Sequence, residues 1–199
     1  GMISLIDHNI GRIMTTLNEL GLSEDTIIMF TSDHGDWLGD HGMMFKGPMF
    51  YEGLLRVGMI LKGPGIPKNH ICYDPVSNMD TAATLMDYAD IIPTFSLHSK
   101  SLRPLIEQKD LSRDYAYGEW DLNPDHWGLD LKLRIVRTKQ HKLTLELNSG
   151  EGELYDLKND PHETTNLFGQ NSRLTRELED MINSRPKDKI QPLKPSGVH

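Results

Sequence analysis

An α/β layer followed by a small antiparallel sheet with a terminal helix is the fold class that these 199 residues predict. Three observations carry it. An amphipathic stretch near the N-terminus runs into a short, continuously apolar segment, the texture of a helix feeding a strand that is covered on both faces. A second apolar segment, residues 57–61, ends in the glycine- and proline-rich turn LKGPGIP. Beyond Pro93 the pattern changes to short segments with partial two-residue alternation between turn residues, the mark of an antiparallel meander.

Taken in order, Ile3, Ile6, Ile10, Ile13, Leu17 and Leu20 recur at steps of three and four, which places them on one stripe of a helix that stops at Gly21. That helix is expected to lie on a sheet. Residues 26–30 follow as a strand, residues 57–61 as another, and residues 80–88 as a second helix that offers Ala82, Ala83, Leu85 and Met86 for packing. Residues 94–112 read as loop. The segments YAYGEW, LKLRIVRT, HKLTLEL and GELYDL then supply the meander, the turn at Asn159-Asp160-Pro161 ends its last strand, and residues 172–183 form a helix with Leu174, Leu178 and Met181 on one side. The expected organisation is an α/β part over residues 1–112, a small antiparallel α+β unit over 113–185, and a flexible proline- and lysine-rich tail over 186–199.

Composition narrows the function. A formal charge of −8 with no basic block argues against nucleic acid as a partner, because phosphate backbones are held by lysine and arginine. Cys72 is the single cysteine, which excludes an intrachain disulfide and leaves the redox compartment open; it is expected to be a small buried or half-buried thiol. No apolar run approaches the ~20 residues of a membrane span. A soluble chain is expected, cytoplasmic or periplasmic.

The chemistry concentrates where the first strand ends, in FTSDHGDWLGDHGMMFKG. At the C-terminal end of a central strand the backbone stops pairing sideways and the side chains reach the crevice where open α/β sheets bind ligands. Asp33 and His34 stand there as an oxygen and a nitrogen donor for one divalent cation, with Gly35 keeping the turn free of bulk. The other reading of the pair is structural, with Asp33 capping the turn and His34 hydrogen-bonding locally. Lys46 follows in a loop with four glycines and can neutralise a bound oxyanion. His41 faces the same anion or is simply exposed. Asp36 and Asp40 support the site or cap the turn, and Asp7 beside the apolar stripe makes a structural hydrogen bond. Glu119, Trp120, Asp121, His126 and Trp127, in EWDLNPDHWG, form either a substrate-facing loop between the two parts or a loop anchored by its tryptophans.

The spacing of Asp33, His34 and Lys46 in SDHGDWLGDHGMMFKG closely resembles the second metal-ligand motif and substrate lysine of the sulfatase family, within the alkaline-phosphatase superfamily. The resemblance extends from MISLIDHNIGRIMTTLNELGLSEDTIIMFTSDHG through RVGMILKGPGI and DTAATLMDYA to GELYDLKNDPHETTNL, a family signature that reads as a structural marker. Gly58, Asp90 and the segment from Ser99 to Leu102 depart from the family pattern at turns and edges. The sequence carries no Cys/Ser-x-Pro-x-Arg motif, whose first residue becomes formylglycine in the family, and no N-terminal aspartate pair.

The resemblance implies the C-terminal half of a sulfuric ester hydrolase with part of an alkaline-phosphatase-like sheet. It further implies that Asp33 and His34 hold a divalent cation, Ca²⁺ in most sulfatases and Mn²⁺ or Zn²⁺ as alternatives, since a nitrogen ligand suits the latter. Lys46 and His41 would act on the sulfate, and Trp120 and His126 on the alcohol half of a small-molecule or sugar sulfate ester. Phosphodiester or phosphonate ester hydrolysis is the neighbouring activity, and a stable non-catalytic domain the reading from another class. The chain alone is expected to be inactive without the formylglycine nucleophile and to expose apolar sheet surface that invites homo-oligomerisation.

Overall fold

The computed structural model describes residues 1–94, 97–109 and 113–185, leaving out the side chains of His126 and Trp127. The expected tail over 186–199 lies outside the described residues.

Helix α1, Met2–Glu19, forms where the three-four apolar periodicity places it. It is closed by a paired C-terminal motif: Leu22 N–H donates to Leu17 O and Gly21 N–H to Asn18 O, with Gly21 at φ 70. Among the described residues the helix does not lie on a sheet. None of its residues is buried, and Ile3, Leu5, Ile6 and Ile13 remain 50–84% exposed. Its apolar stripe is real but uncovered.

The first strand, β1 (Ile28–Thr31), pairs antiparallel with β2 (Met59–Lys62), so that Phe30 faces Ile60. Cover on both faces was the expectation, yet Phe30 is 39% and Ile60 64% exposed. A continuous apolar run reports that a strand belongs in a covered sheet; it does not report whether the covering residues are in the same chain. Two strands alone form a marginal unit in water.

Between them come a 3-10 turn at Asp40–Gly42 and the short helix α2, Glu52–Leu55. Helix α3 occupies Asp80–Tyr88, the predicted range, but its buried positions are the polar Asp80 and Thr84. Asp80 accepts hydrogen bonds from the backbone of Ser77 and Lys100 and pairs with Arg113, while Thr84 accepts from the Leu102 N–H. Leu85, expected to pack, is 44% exposed. Helix α4, Arg103–Ile106, interrupts the expected loop.

The meander is as predicted. Strands β3 (Tyr115–Leu122), β4 (Leu131–Thr138), β5 (His141–Glu146) and β6 (Gly152–Asp156) pair in sequence order, with a short helix α5 (Pro124–Trp127) between the first two. Val136, Leu143 and Leu154 stand opposite one another across three strands and are fully buried. Helix α6, Ser172–Asn183, capped by the Asn171 side chain, covers this row with Leu178 and Ile182, joined by Leu174 and Met181. Each such side chain contributes roughly 1.5–3 kcal/mol by burial. The opposite face of the sheet is also covered: Leu133 and Ile135 pack on Phe50, and Tyr155 packs on Trp37, Tyr51 and Leu54. Residues from both sides of position 112 therefore share these two clusters.

Candidate functional site

The turn after β1 is held from three directions. Asn78 donates through Nδ2 to the carbonyl oxygens of Ser32 (2.7 Å) and Asp33 (3.3 Å), and its Oδ1 accepts from Thr31 Oγ1. Ser32 Oγ donates to His34 O at 2.9 Å. Gly35 N–H donates to Leu54 O at 2.7 Å, an approach that only glycine permits, because a Cβ there would stand 2.0 Å from the Gly53 carbonyl oxygen.

These contacts present Asp33 and His34 side by side. Asp33 is largely exposed, and its carboxyl is held below the ordinary carboxylate value first by the His34 backbone N–H and then by the neighbouring imidazole. His34 Nδ1 lies 2.7 Å from Gly35 O. A carbonyl oxygen only accepts, so Nδ1 carries a proton, and Nε2, 3.6 Å from Asp33 Oδ2, is the ring nitrogen left to bind a cation. One oxygen and one nitrogen donor thus converge, which fits two positions around a divalent cation. Among the described residues no group of three or more His, Cys, Asp or Glu side chains comes together.

Asp33 and His34 open onto a cavity of about 860 Å³ between the β1 turn and the meander, walled also by Arg56, Asn78, Tyr117 and Trp120. Two further cations in the wall are committed to partners: Arg137 to Glu52 at 3.2 Å and Lys139 to Asp74 at 2.7 Å. The Lys139 ammonium in turn holds Asp74 below its ordinary value. Trp120 lies on strand β3 rather than in a loop, packed beside Phe50 and Leu133. Its neighbours Glu119 and Asp121 bind Arg134, so the expected loop over 119–127 is a strand followed by one helical turn. The His126 side chain lies outside the described residues.

The loop from Asp36 to Tyr51 takes another course. Asp36 caps it through Leu38 N–H, and Leu38, His41 and Phe45 adopt left-handed backbone. His41 stacks on Tyr51, with ring centroids 3.7 Å apart. Lys46 is exposed and, like His41, lies outside the cavity wall. Asp7 is exposed. Cys72 is also exposed, correcting the expectation of a buried thiol; it sits on the cavity rim with Sγ 3.6 Å from Asp74 Oδ2. Asn78 and Arg56 are the residues that sequence reasoning missed. Asn78 lies 46 residues from Ser32, and only the fold brings the two together.

An Asp-His pair at a strand end, joined to an antiparallel meander, agrees with the resemblance to the sulfatase family. The chain belongs to that family: residues 39–188 match the model described as N-sulphoglucosamine sulphohydrolase, C-terminal. It is 38% identical to an arylsulfatase of Clostridium perfringens over 84% of its own length and 34% of the relative. It is 33% identical to an N-acetylglucosamine-6-O-sulfatase of Bacteroides thetaiotaomicron over 83% of its length and 30% of the relative. The solved structure of a 2-O GAG sulfatase superposes with a TM-score of 0.80 at 26% identity, covering 89% of this chain and 40% of that one. The fold is that of the alkaline-phosphatase-like sulfatases, and the chain spans about a third of the length of the curated relatives it matches. Among the described residues no helix is long and apolar enough to cross a membrane.

Proposed function

We propose that this chain supplies half of the metal site and the anion-binding lysine of a sulfuric ester hydrolase acting on a sugar or aryl sulfate. The observation that carries the reading is the tautomer-fixed His34 beside Asp33 at the rim of an aromatic-walled cavity. Asp33 Oδ2 and His34 Nε2 would hold the cation, Ca²⁺ by resemblance and Mn²⁺ or Zn²⁺ by the chemistry of a nitrogen donor. When bound, the cation supplies Lewis-acid polarisation of the ester's sulfate oxygen. Lys46 and His41, on the loop outside the cavity wall, are assigned by resemblance to the sulfate, Lys46 contributing positive charge to the developing oxyanion. Trp120 offers an apolar face to the alcohol half, and His126 is assigned to the same role. The names of the relatives, one acting on N-acetylglucosamine sulfate and one on aryl sulfates, support a sulfate ester of a ring alcohol.

The nitrogen donor also favours a second reading, phosphodiester or phosphonate ester hydrolysis on the same residues. A third reading is a stable but non-catalytic domain. The test joins this chain to the upstream half of a sulfatase and screens aryl sulfate, sulfated sugar, phosphodiester and phosphonate. Sulfate turnover, reduced roughly 10²–10³-fold by Lys46→Ala, is expected; the chain by itself should turn over none of the four. Preference for phosphonate would select the second reading. Turnover by the isolated chain would overturn the half-site assignment.

A further inference from the structure

The signature GELYDLKNDPHETTNL contributes no residue to the cavity wall. Three of its side chains, Glu153, Tyr155 and Glu163, instead meet residues between Trp37 and Leu54. Glu163 is 3% exposed and sits in left-handed backbone at φ 57, a conformation that a non-glycine residue keeps only where its surroundings hold it. One carboxylate oxygen accepts the backbone N–H of Glu52 at 2.7 Å, across 111 residues of chain. The other meets the ammonium of Lys142, itself 1% exposed, and Lys142 also donates to the carbonyl oxygen of Phe50. Tyr155 of the same signature packs with Trp37, Tyr51 and Leu54.

We propose that Glu163, with Lys142, is a positioning residue that seats residues 50–54 on the meander and, through them, the Asp33–His34 turn. The chain of contacts is continuous. Glu163 and Lys142 hold the backbone at Glu52 and Phe50; α2 begins at Glu52; its Leu54 carbonyl oxygen accepts Gly35 N–H; and Gly35 carbonyl oxygen receives His34 Nδ1–H, which sets the ring. Neither Glu163 nor Lys142 lines the cavity, so neither touches a ligand there. A buried ion pair is a poor source of net stability, because desolvating two charges offsets most of their attraction, and apolar residues of similar volume fill such a space as well. What an apolar pair lacks is the two hydrogen bonds to the backbone of residues 50 and 52. The functional weight of the seat rests on reading Asp33 and His34 as the site; the geometric statement does not.

Amide hydrogen exchange on the whole chain separates the two. In Glu163→Ala, the Gly35 and Glu52 amides should exchange about tenfold faster or more relative to the amides of β4 and β5, and the His34 ring signals should move. If that variant fails to fold, the double variant Lys142→Met/Glu163→Leu fills the seat without the backbone hydrogen bonds. In it the β4 and β5 amides should regain parental protection while Gly35 stays fast. Gly35 exchanging in step with β4 and β5 in either variant, or unmoved His34 signals, would overturn the proposal. Loss of sulfatase activity is not part of the readout, so failure of the functional reading leaves this test intact.

Discussion

His41 lies flat on Tyr51, the two ring planes inclined by 10° and their centroids 3.7 Å apart. Tyr51 is in turn fixed by its hydroxyl, which donates to Glu153 on β6 at 3.0 Å, and by Trp37, Leu54 and Tyr155 around its ring. The position of His41 is thereby read out by an aromatic partner on the meander side of the molecule. Replacing Tyr51 with leucine removes the stack and the hydroxyl bond together. The expected cost is about 1–3 kcal/mol in urea unfolding, with the His41 ring protons moving downfield as the ring current is lost. Unshifted His41 signals in a folded Tyr51→Leu chain would show that the stack is not populated in solution.

Two ligands leave most of a cation's coordination sphere to water, so the chain by itself should bind Mn²⁺ or Zn²⁺ with a dissociation constant on the order of 10⁻⁴ M or weaker. Paramagnetic broadening by Mn²⁺ should centre on residues 33–35 and vanish in His34→Ala, with no change in melting temperature because His34 is only half-buried. Stoichiometric metal surviving dialysis would mean that further ligands complete the site.

Glu146 gives a pH dependence with a defined sign. Its carboxylate accepts the backbone N–H groups of Lys132 and Ser149, and the first of these does most to hold it at about 2, against an ordinary 4.5. The folded value lies below the unfolded one, so this stabilisation is present above about pH 5 and is lost as pH falls toward 2. Urea midpoints measured across that window should fall less steeply for Glu146→Gln than for the parent. Parallel slopes would remove Glu146 from the account.

The uncovered stripe on α1 and the bare Phe30–Ile60 pair predict self-association of the isolated chain. Ile3→Lys with Ile6→Lys should shift its sedimentation toward monomer. Because α1 buries none of its side chains, unfolding free energy should change by no more than about 0.5 kcal/mol per substitution. A parent that is already monomeric at high concentration would contradict this.

Legibility in the sequence followed range of interaction. Helix α6 and the four meander strands were legible because local periodicity selects both the element and its buried face, as Leu178 and Val136 show. Helix α3 was legible in extent but not in environment, since its buried face is built from Asp80 and Thr84, whose partners lie at Lys100, Leu102 and Arg113. The stripe of α1 announced a partner that the described residues do not provide. At the candidate site, the abrupt change at a strand end singles out Asp33 and His34, which the fold places together on the cavity, and resemblance singles out Lys46, which lies outside the cavity wall. Asn78, Arg56 and Glu163 were not legible, because what assigns them is proximity across the fold, and no local pattern encodes it.

The meander joins only neighbours in sequence, whereas the contact between Glu163 and Glu52 closes a loop of more than a hundred residues. Short loops lose less entropy on closing, so the meander can assemble while the segment from Trp37 to Leu54 is still searching. On a ribosome the order is harsher. The segment that carries Asp33, His34, His41 and Lys46 emerges first, and Trp37 and Tyr51 must wait, apolar and unhoused, until Lys142, Tyr155 and Glu163 have been made. For that interval the segment that carries the candidate site is also the part most dependent on protection from other chains.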